Sequence, residues 1–190
     1  MFIVKKYYYL YLEDTKLFDL SLIKKREKFT VIYRNNLKKK NIAEIKLFRN
    51  KCKSKGIKFY IANDIKLANM CKADGLYISA YNKQFLCNFK ILQYMDIIGS
   101  AHNVKEINQK LLQGCKNIIF SRIFKTDYVH KSSYLGLVRF NNLLISTKLN
   151  LIPLGGIRVN NLNKLRSLKT NSASFFSEVK KKPALISRLF

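Results

Sequence analysis

The chain has 190 residues, which is long enough to bury one substantial hydrophobic core. Apolar residues make up 48% of it and aromatic residues 13%, so its composition excludes a disordered chain in spite of a net charge of +26. We expect residues 1–190 to form a single domain.

The positive charge has two interpretations. A chain this basic is suited to phosphorylated small molecules or to a nucleic-acid backbone. Lys, Asn and Ile are abundant throughout while Trp is absent, which also fits a bias toward A/T-rich codons. The lysines are spread along the chain, without zinc-finger spacing or the aromatic strand pattern of RNA-recognition domains. Nucleic-acid binding is therefore an alternative rather than the first hypothesis.

Cysteine spacing and hydropathy indicate the compartment. The four cysteines are widely separated and form no CxxC pair, so reduced thiols are expected at Cys52, Cys71, Cys87 and Cys115. The apolar stretch at the start is too short for a signal peptide, and no later run has the length of a membrane span. These features predict a cytoplasmic protein that does not enter a membrane.

Short β-rich runs alternate with longer amphipathic segments along the chain. The predicted strands are Tyr7–Leu12, Thr30–Arg34, Lys58–Ala62, Gly75–Ile78, Ile97–Ser100, Asn117–Phe120, Leu151–Leu154 and Ala173–Phe176. Two helices are clearest, Ile42–Lys55 before Gly56 and Asn103–Gly114, where Asn103 is a predicted N-cap with Glu106 three residues later. Alternation with eight strands predicts an α/β fold, a single compact (β/α)8 TIM barrel.

In such a barrel the chemistry lies at the carboxyl ends of the strands and in the loops after them. The turn at Gly155 and Gly156, followed by a helix start, offers backbone N–H groups to a phosphate, although a tight turn alone also explains it. Arg34 is suited to clamping a second phosphate or to pairing with a carboxylate. Asp64 fits either a magnesium ligand or a helix N-cap, and His102 either an acid-base group or a cap partner.

Six segments then carry motifs in a characteristic order: Val31–Asn36, Tyr60–Ala68, Lys72–Ile78, Ile98–His102, Phe120–Thr126 and Leu154–Ile157. They are similar, in that order, to Gln-x-Arg-x-Lys, Ile-Asn-Asp-Asp/Arg-Val-Asp-Leu-Ala, Gly-Ala-Asp-Gly-Val-His-Leu, Gly-x-Ser-x-His, Gly-Pro-Ile-x-x-Thr and Ile-Gly-Gly-Ile. Those patterns are characteristic of the family of thiamine phosphate synthase and its TenI relatives. Because order and spacing agree over nearly the whole chain, the chain resembles that family.

The resemblance implies a transferase of thiamine biosynthesis. The synthase joins aminopyrimidine methyl diphosphate to thiazole phosphate and releases diphosphate through a pyrimidine cation, with Mg²⁺ on the leaving group. It implies that Arg34 and Ser100 are catalytic, Arg34 at the diphosphate and Ser100 near the pyrimidine. The substrate-binding residues that it implies are Arg34, Asn36, Asn63, Ser100, Thr126, Lys131, Gly155, Gly156 and Ser177.

This sequence departs from the family pattern at several polar positions. The family Gln falls at Ile32 and its nearby Lys at Asn36, and Lys131 is the nearest counterpart of the Lys in the loop after Thr126. The two magnesium-ligand aspartates fall at amides, so the implied metal residues are Asn63, Asp64 and Asn82. Amide oxygens bring no negative charge, so Mg²⁺ affinity should fall unless Asp64 compensates.

Three functions are therefore compatible with the sequence. The first is a divergent synthase acting on small phosphorylated pyrimidine and thiazole substrates. The second is a TenI-like phosphate-binding barrel with lost or altered activity. Some TenI relatives tautomerise a thiazole with a histidine in the loop after the sixth strand, and Arg122 takes that place here. The third is a basic RNA-associated barrel.

Overall fold

A parallel sheet of eight strands forms the centre of the fold. The computed structural model describes residues 5–16, 19–23, 28–35, 41–84, 94–126, 133–147 and 149–175, and it is to these residues that the elements belong. The strands are β1 Tyr7–Leu12, β2 Phe29–Tyr33, β3 Lys58–Ala62, β4 Gly75–Ile78, β5 Asp96–Ala101, β6 Asn117–Ser121, β7 Asn150–Leu154 and β8 Ser172–Phe175. The helices are α1 Ile42–Ser54, α2 Ile65–Met70, α3 Val104–Leu112 and α4 Leu137–Thr147, with 3-10 helices at Leu20–Leu22 and Val159–Ser167.

The strands are arranged in chain order around a nearly closed barrel. Their hydrogen-bonded order is β7-β6-β5-β4-β3-β2-β1-β8, and every pairing is parallel. Although no ladder joins them, β7 and β8 lie side by side, and the Thr170 hydroxyl just before β8 donates to the Leu151 carbonyl at 3.0 Å. The predicted (β/α)8 barrel is confirmed.

Both faces of the strands are buried, which explains their continuous apolar runs. Residues of one face pack with the helices outside the barrel, as Tyr8 and Leu10 of β1 do. The alternate residues form a second cluster with one member from each of seven strands, so this cluster fills the barrel. Its buried members are Tyr11, Ile32, Tyr60, Tyr77, Ile98, Ile119 and Ile152.

Local capping chemistry sets where the helices begin. The side chains of Asn41, Asp64 and Asn103 each accept a hydrogen bond from a backbone N–H three residues later, at the starts of α1, α2 and α3. The Glu106 carboxylate in turn accepts a hydrogen bond from the Asn103 side chain at 3.1 Å, so the predicted cap is confirmed. None of the described helices has the length and apolar character needed to cross a membrane.

Strands β1, β3 and β4 have the predicted bounds, and the bounds of the other predicted elements differ from the observed ones by one or two residues. The second strand is shifted by one residue to Phe29–Tyr33, and the last ends at Phe175, beyond which residues are not described. The helix predicted to follow the Gly155–Gly156 turn is a 3-10 helix of nine residues, Val159–Ser167. Strand and helix ends depend on tertiary pairing, which local patterns do not encode.

Burial of Cys52 between α1 and the sheet predicts loss of stability in alkali. Burial, reinforced by Asp74, raises the pKa of this thiol from 9.0 to about 12. Above pH 9 the unfolded thiol loses its proton while the folded thiol keeps it, so stability falls as pH rises from 9 toward 12. Between pH 9 and 11 this one group should account for roughly 2 to 3 kcal/mol.

The effect on the free energy of unfolding is measured by urea unfolding at pH 7, 9, 10 and 11. These pH values cover about the range in which a cysteine thiol titrates in the unfolded chain. The Cys52→Ala variant should be less stable than the parent at pH 7, because a small cavity remains, yet its stability should fall less steeply above pH 9. Parallel pH curves for the two proteins would contradict the prediction.

Candidate active site

The predicted site residues gather at one end of the barrel. Because all strands are parallel, their carboxyl ends meet there and form the barrel mouth. The described candidates lie in or after β2 to β7, and they are Arg34, Asn63, Asp64, Asn82, Ser100, Thr126, Gly155 and Gly156. Asn36, Lys131 and Ser177 lie outside the described residues, so their roles stay predictions.

Ser100 lies buried in the mouth and is held by a tyrosine. The Tyr77 hydroxyl of β4 donates to Ser100 Oγ of β5 at 2.8 Å. The Tyr11 ring meets the Tyr77 ring edge-on, with 5.4 Å between centroids. The sequence does not single out either tyrosine, since an inward strand position looks like any other core position. The hydroxyls of these three residues form a polar floor under the mouth.

These tyrosine hydroxyls are hydrogen-bond donors at neutral pH. Burial raises the pKa of Tyr11 well above its ordinary value and also raises the pKa of Tyr77. The positive charge of Arg34, which directly follows β2, opposes both shifts. Arg34 therefore lies at the same end of the barrel as Ser100.

The two positions that match the family's magnesium-ligand aspartates lie beside each other. Asn63 follows β3 in the left-handed backbone region, with φ of 57°, and its Oδ1 accepts from the Ser79 N–H at 2.9 Å. The same oxygen accepts from Asn82 Nδ2 at 3.3 Å. Asn82 Oδ1 in turn accepts from the Gln84 N–H at 2.9 Å. An amide-to-amide hydrogen bond therefore joins the loops after β3 and β4.

The loop that carries Asn82 is anchored from outside the barrel by α3. Lys110 is fully buried, and its Nζ donates to the Asn82 carbonyl at 2.7 Å. Gln113 Nε2 donates to the same carbonyl at 3.0 Å and to that of Gln84 at 2.7 Å. A lysine in an amphipathic helix is expected on the surface, so the sequence contains no signal for this anchor.

The residues present do not fit a magnesium ion as they stand. Each amide oxygen of Asn63 and Asn82 already accepts from an N–H group, and neither side chain carries a charge. Asp64 Oδ1 accepts from the Leu67 N–H at 2.9 Å as the cap of α2. In the part of the chain that the structure describes, no group of three or more His, Cys, Asp or Glu residues could hold a metal ion. The assignment of Asn63, Asp64 and Asn82 as metal ligands stays a prediction.

The glycine turn after β7 packs closely against the loop after β6. The Phe124 N–H donates to the Gly155 carbonyl at 3.0 Å. A Cβ on Gly156 would lie 2.6 Å from the Phe124 carbonyl oxygen and closer still to that of Lys125. Asn161 Nδ2 donates to the Gly156 carbonyl at 2.8 Å and so ties the turn to the next helix. Only glycine fits here.

Thr126 is the last residue of the described segment 94–126, in the loop after β6, and its hydroxyl has no hydrogen-bond partner among the described residues. Its Oγ1 is buried. Lys125, the residue before it, presses its carbonyl against Gly156. A buried hydroxyl without a partner is costly, and a ligand oxygen beside the glycine turn would satisfy it.

His102 and Ser121 form a further polar pair at the ends of β5 and β6. His102 Nδ1 and Ser121 Oγ share a hydrogen bond of 2.8 Å, and the Tyr81 ring lies 6.3 Å from the imidazole ring. The His102 backbone N–H donates to Glu106 at 2.7 Å, next to the cap of α3. His102 therefore participates in the helix start through its backbone, while its ring pairs with the last residue of β6.

Curated proteins of similar sequence carry one activity in their names. The chain is 31% identical over 128 residues to the thiamine-phosphate synthase of Prochlorococcus marinus, covering 67% of this chain and 37% of that protein's length. It is 25% identical over 157 residues to the thiamine-phosphate synthase of Pelagibacter ubique, covering 80% of this chain and 76% of that protein. The chain thus spans well under half of the first relative.

A solved structure has the same fold. Thiamine phosphate pyrophosphorylase from Pyrococcus furiosus superimposes with a TM-score of 0.74 over 98% of this chain and 94% of that one, at 18% identity. The sequence model of one family, described as thiamine monophosphate synthase, matches residues 16–179. With that match, the order of the mouth motifs and the shared barrel, the chain belongs to the thiamine monophosphate synthase family.

Proposed function

We propose that this chain couples aminopyrimidine methyl diphosphate to thiazole phosphate in thiamine biosynthesis, as a divergent transferase. The observation that carries the proposal is the buried Thr126 hydroxyl, which lacks a partner among the described residues and directly follows Phe124 and Lys125, whose carbonyls pack against Gly156. Family membership supplies the reaction class, and this corner of the mouth is suited to a phosphate group.

In this proposal the thiazole phosphate binds at the glycine turn. Gly155 and Gly156 have φ of 96° and 67°, so their backbone can approach an anion without a side chain in the way. The 3-10 helix Val159–Ser167 begins just beyond the turn. Ser177, after β8, would add a hydroxyl to the same phosphate.

Arg34 would bind the diphosphate of the pyrimidine substrate, with Asn36 and Lys131 near it. Ser100, oriented by Tyr77, would contact the pyrimidine. The bond between the substrate's methyl carbon and the diphosphate oxygen breaks, and its electron pair leaves with diphosphate. The thiazole ring nitrogen then donates its electron pair to the carbon. The protein's part is positioning and charge stabilisation.

The departing charge would be balanced mainly by cationic side chains. Asn63 and Asn82 supply no negative charge for a metal, while Arg34 follows β2 at the mouth and the Arg122 side chain lies against Gly155. Arginine binds phosphate oxygens in pairs through its planar fork. In this proposal the stabilisation of the leaving diphosphate therefore rests on arginine side chains.

The amide pair favours a second candidate, a phosphate-binding barrel without turnover. The hydrogen bond between Asn63 and Asn82 occupies the positions where the family has carboxylates that bind magnesium. Such a protein would keep the glycine turn and bind thiazole phosphate, yet would not release diphosphate.

The test is a coupling assay with the full chain, both substrates, and either MgCl₂ or EDTA. We expect thiamine phosphate to form, detected by fluorescence after oxidation. Thermal unfolding with thiazole phosphate is measured in parallel. Stabilisation without product in either buffer would overturn the synthase and favour the binding barrel. Folded protein with neither product nor stabilisation would contradict both.

A further inference from the structure

A cavity that is open to solvent lies at the opposite end of the barrel from the mouth. It has a volume of about 650 Å³ and is lined by residues that precede β1, β2 and β8 and by the end of the 3-10 helix Val159–Ser167. Amino ends of parallel strands point away from the mouth, so this basal cavity is separate from the candidate active site.

The basal cavity is lined by basic side chains. They are Lys5, Lys6, Lys28, Arg166 and Lys169, and none of the described residues that line it is acidic. Lys6, Lys28 and Lys169 form no ion pair with a carboxylate of the described residues. Like charges brought together on one concave surface repel one another, and an anion would relieve that repulsion.

The walls of the basal cavity are held by the barrel itself. Lys5 is buried, and its Nζ donates to the Leu168 carbonyl at 2.7 Å. The backbone N–H groups of Lys6 and Tyr7 both donate to the Asn171 carbonyl, at 2.8 and 3.0 Å. The segments before β1 and β8 are therefore fixed to each other. The backbone that carries Lys5 and Lys6 therefore needs no ordering when a ligand binds.

The volume of the basal cavity indicates a small ligand. The volume lies within the roughly 300–1,000 Å³ typical of small-molecule pockets, whereas a nucleic acid is tracked by an extended groove with aromatic platforms. We propose that the basal cavity binds a small anion carrying several linked phosphates, independently of the reaction at the mouth.

Binding of inorganic triphosphate by calorimetry, without magnesium and at near-physiological salt, tests the proposal. The measurement uses the full chain with Arg34→Ala, which removes the diphosphate contact at the mouth, and any binding left at the glycine turn should not depend on Lys28 or Lys169. The Lys28→Gln/Lys169→Gln pair should weaken binding at least about tenfold, as expected for the loss of two charged contacts. The matched control Lys46→Gln/Lys53→Gln removes two exposed lysines of α1 and should change affinity less than about twofold.

The outcomes separate this proposal from its competitors. No saturable binding would overturn it, and equal weakening by both lysine pairs would show attraction to net charge alone. Tighter binding of a single-stranded RNA, with the same dependence on Lys28 and Lys169, would replace it with an RNA site. With Arg34 intact, the Lys28→Gln/Lys169→Gln pair should keep its thiamine phosphate synthesis, because the cavity is remote from the mouth.

Discussion

Replacing Arg34 with alanine is expected to lower kcat/KM for thiamine phosphate formation by about 100-fold or more. Arg34 follows β2 at the mouth. Its positive charge opposes the rise in the pKa of the Tyr11 and Tyr77 phenols, which lie at the bottom of the site. Loss of the guanidinium would remove the charge that the proposal places on the leaving diphosphate. Steady-state rates at varied pyrimidine diphosphate measure the effect.

Two companion variants sharpen this prediction. Arg34→Lys keeps the charge without the planar fork, so it should recover only part of the lost rate. Arg139→Ala removes the same charge from the exposed face of α4 and should leave kcat/KM within about twofold of the parent. An Arg34→Ala enzyme with nearly parental activity would refute the role of Arg34.

Replacing Gly156 with alanine should both destabilise the fold and abolish binding at the glycine turn. Its φ of 67° costs an alanine about 1 to 2 kcal/mol. The new Cβ would also press into the Phe124 and Lys125 carbonyls, which adds about 1 to 3 kcal/mol. Urea unfolding measures the first effect, and thermal stabilisation by thiazole phosphate measures the second.

Gly56 offers a matched control for that variant. Its φ is 66°, almost the same as at Gly156, but a Cβ there would meet nothing within 4 Å. The Gly56→Ala variant should lose only the conformational part of the stability, about 1 to 2 kcal/mol, and keep its response to thiazole phosphate. Equal losses in the two variants would show that the close packing against the loop after β6 contributes nothing.

The elements of the fold arise from local patterns in the sequence. Apolar runs predict the strands because both of their faces are buried, and Asn103 with Glu106 predicts the start of α3 because capping involves only neighbouring residues. Eight strands alternating with helices then leave few arrangements other than the barrel. Motif order likewise identifies the family before any coordinates.

Choices between two chemically sound interpretations needed the tertiary structure. Asp64 suits a magnesium ligand or a cap, and only the structure shows its carboxylate on the Leu67 N–H. The Asn63 and Asn82 side chains are nineteen residues apart in the chain and meet through the register of β3 and β4.

Contacts between distant segments leave no local pattern at all. Lys110 resembles a surface lysine of an amphipathic helix, yet it is buried and holds the Asn82 loop. Tyr77 becomes the partner of Ser100 only because β4 pairs with β5. Lys5, Lys28 and Lys169 look like scattered basic residues, and barrel closure brings them to one cavity.

Sequence alone determined the elements and the family, because these depend on neighbouring residues and their periodicity. Tertiary structure decided the partners of each polar group, because those depend on strand register and closure.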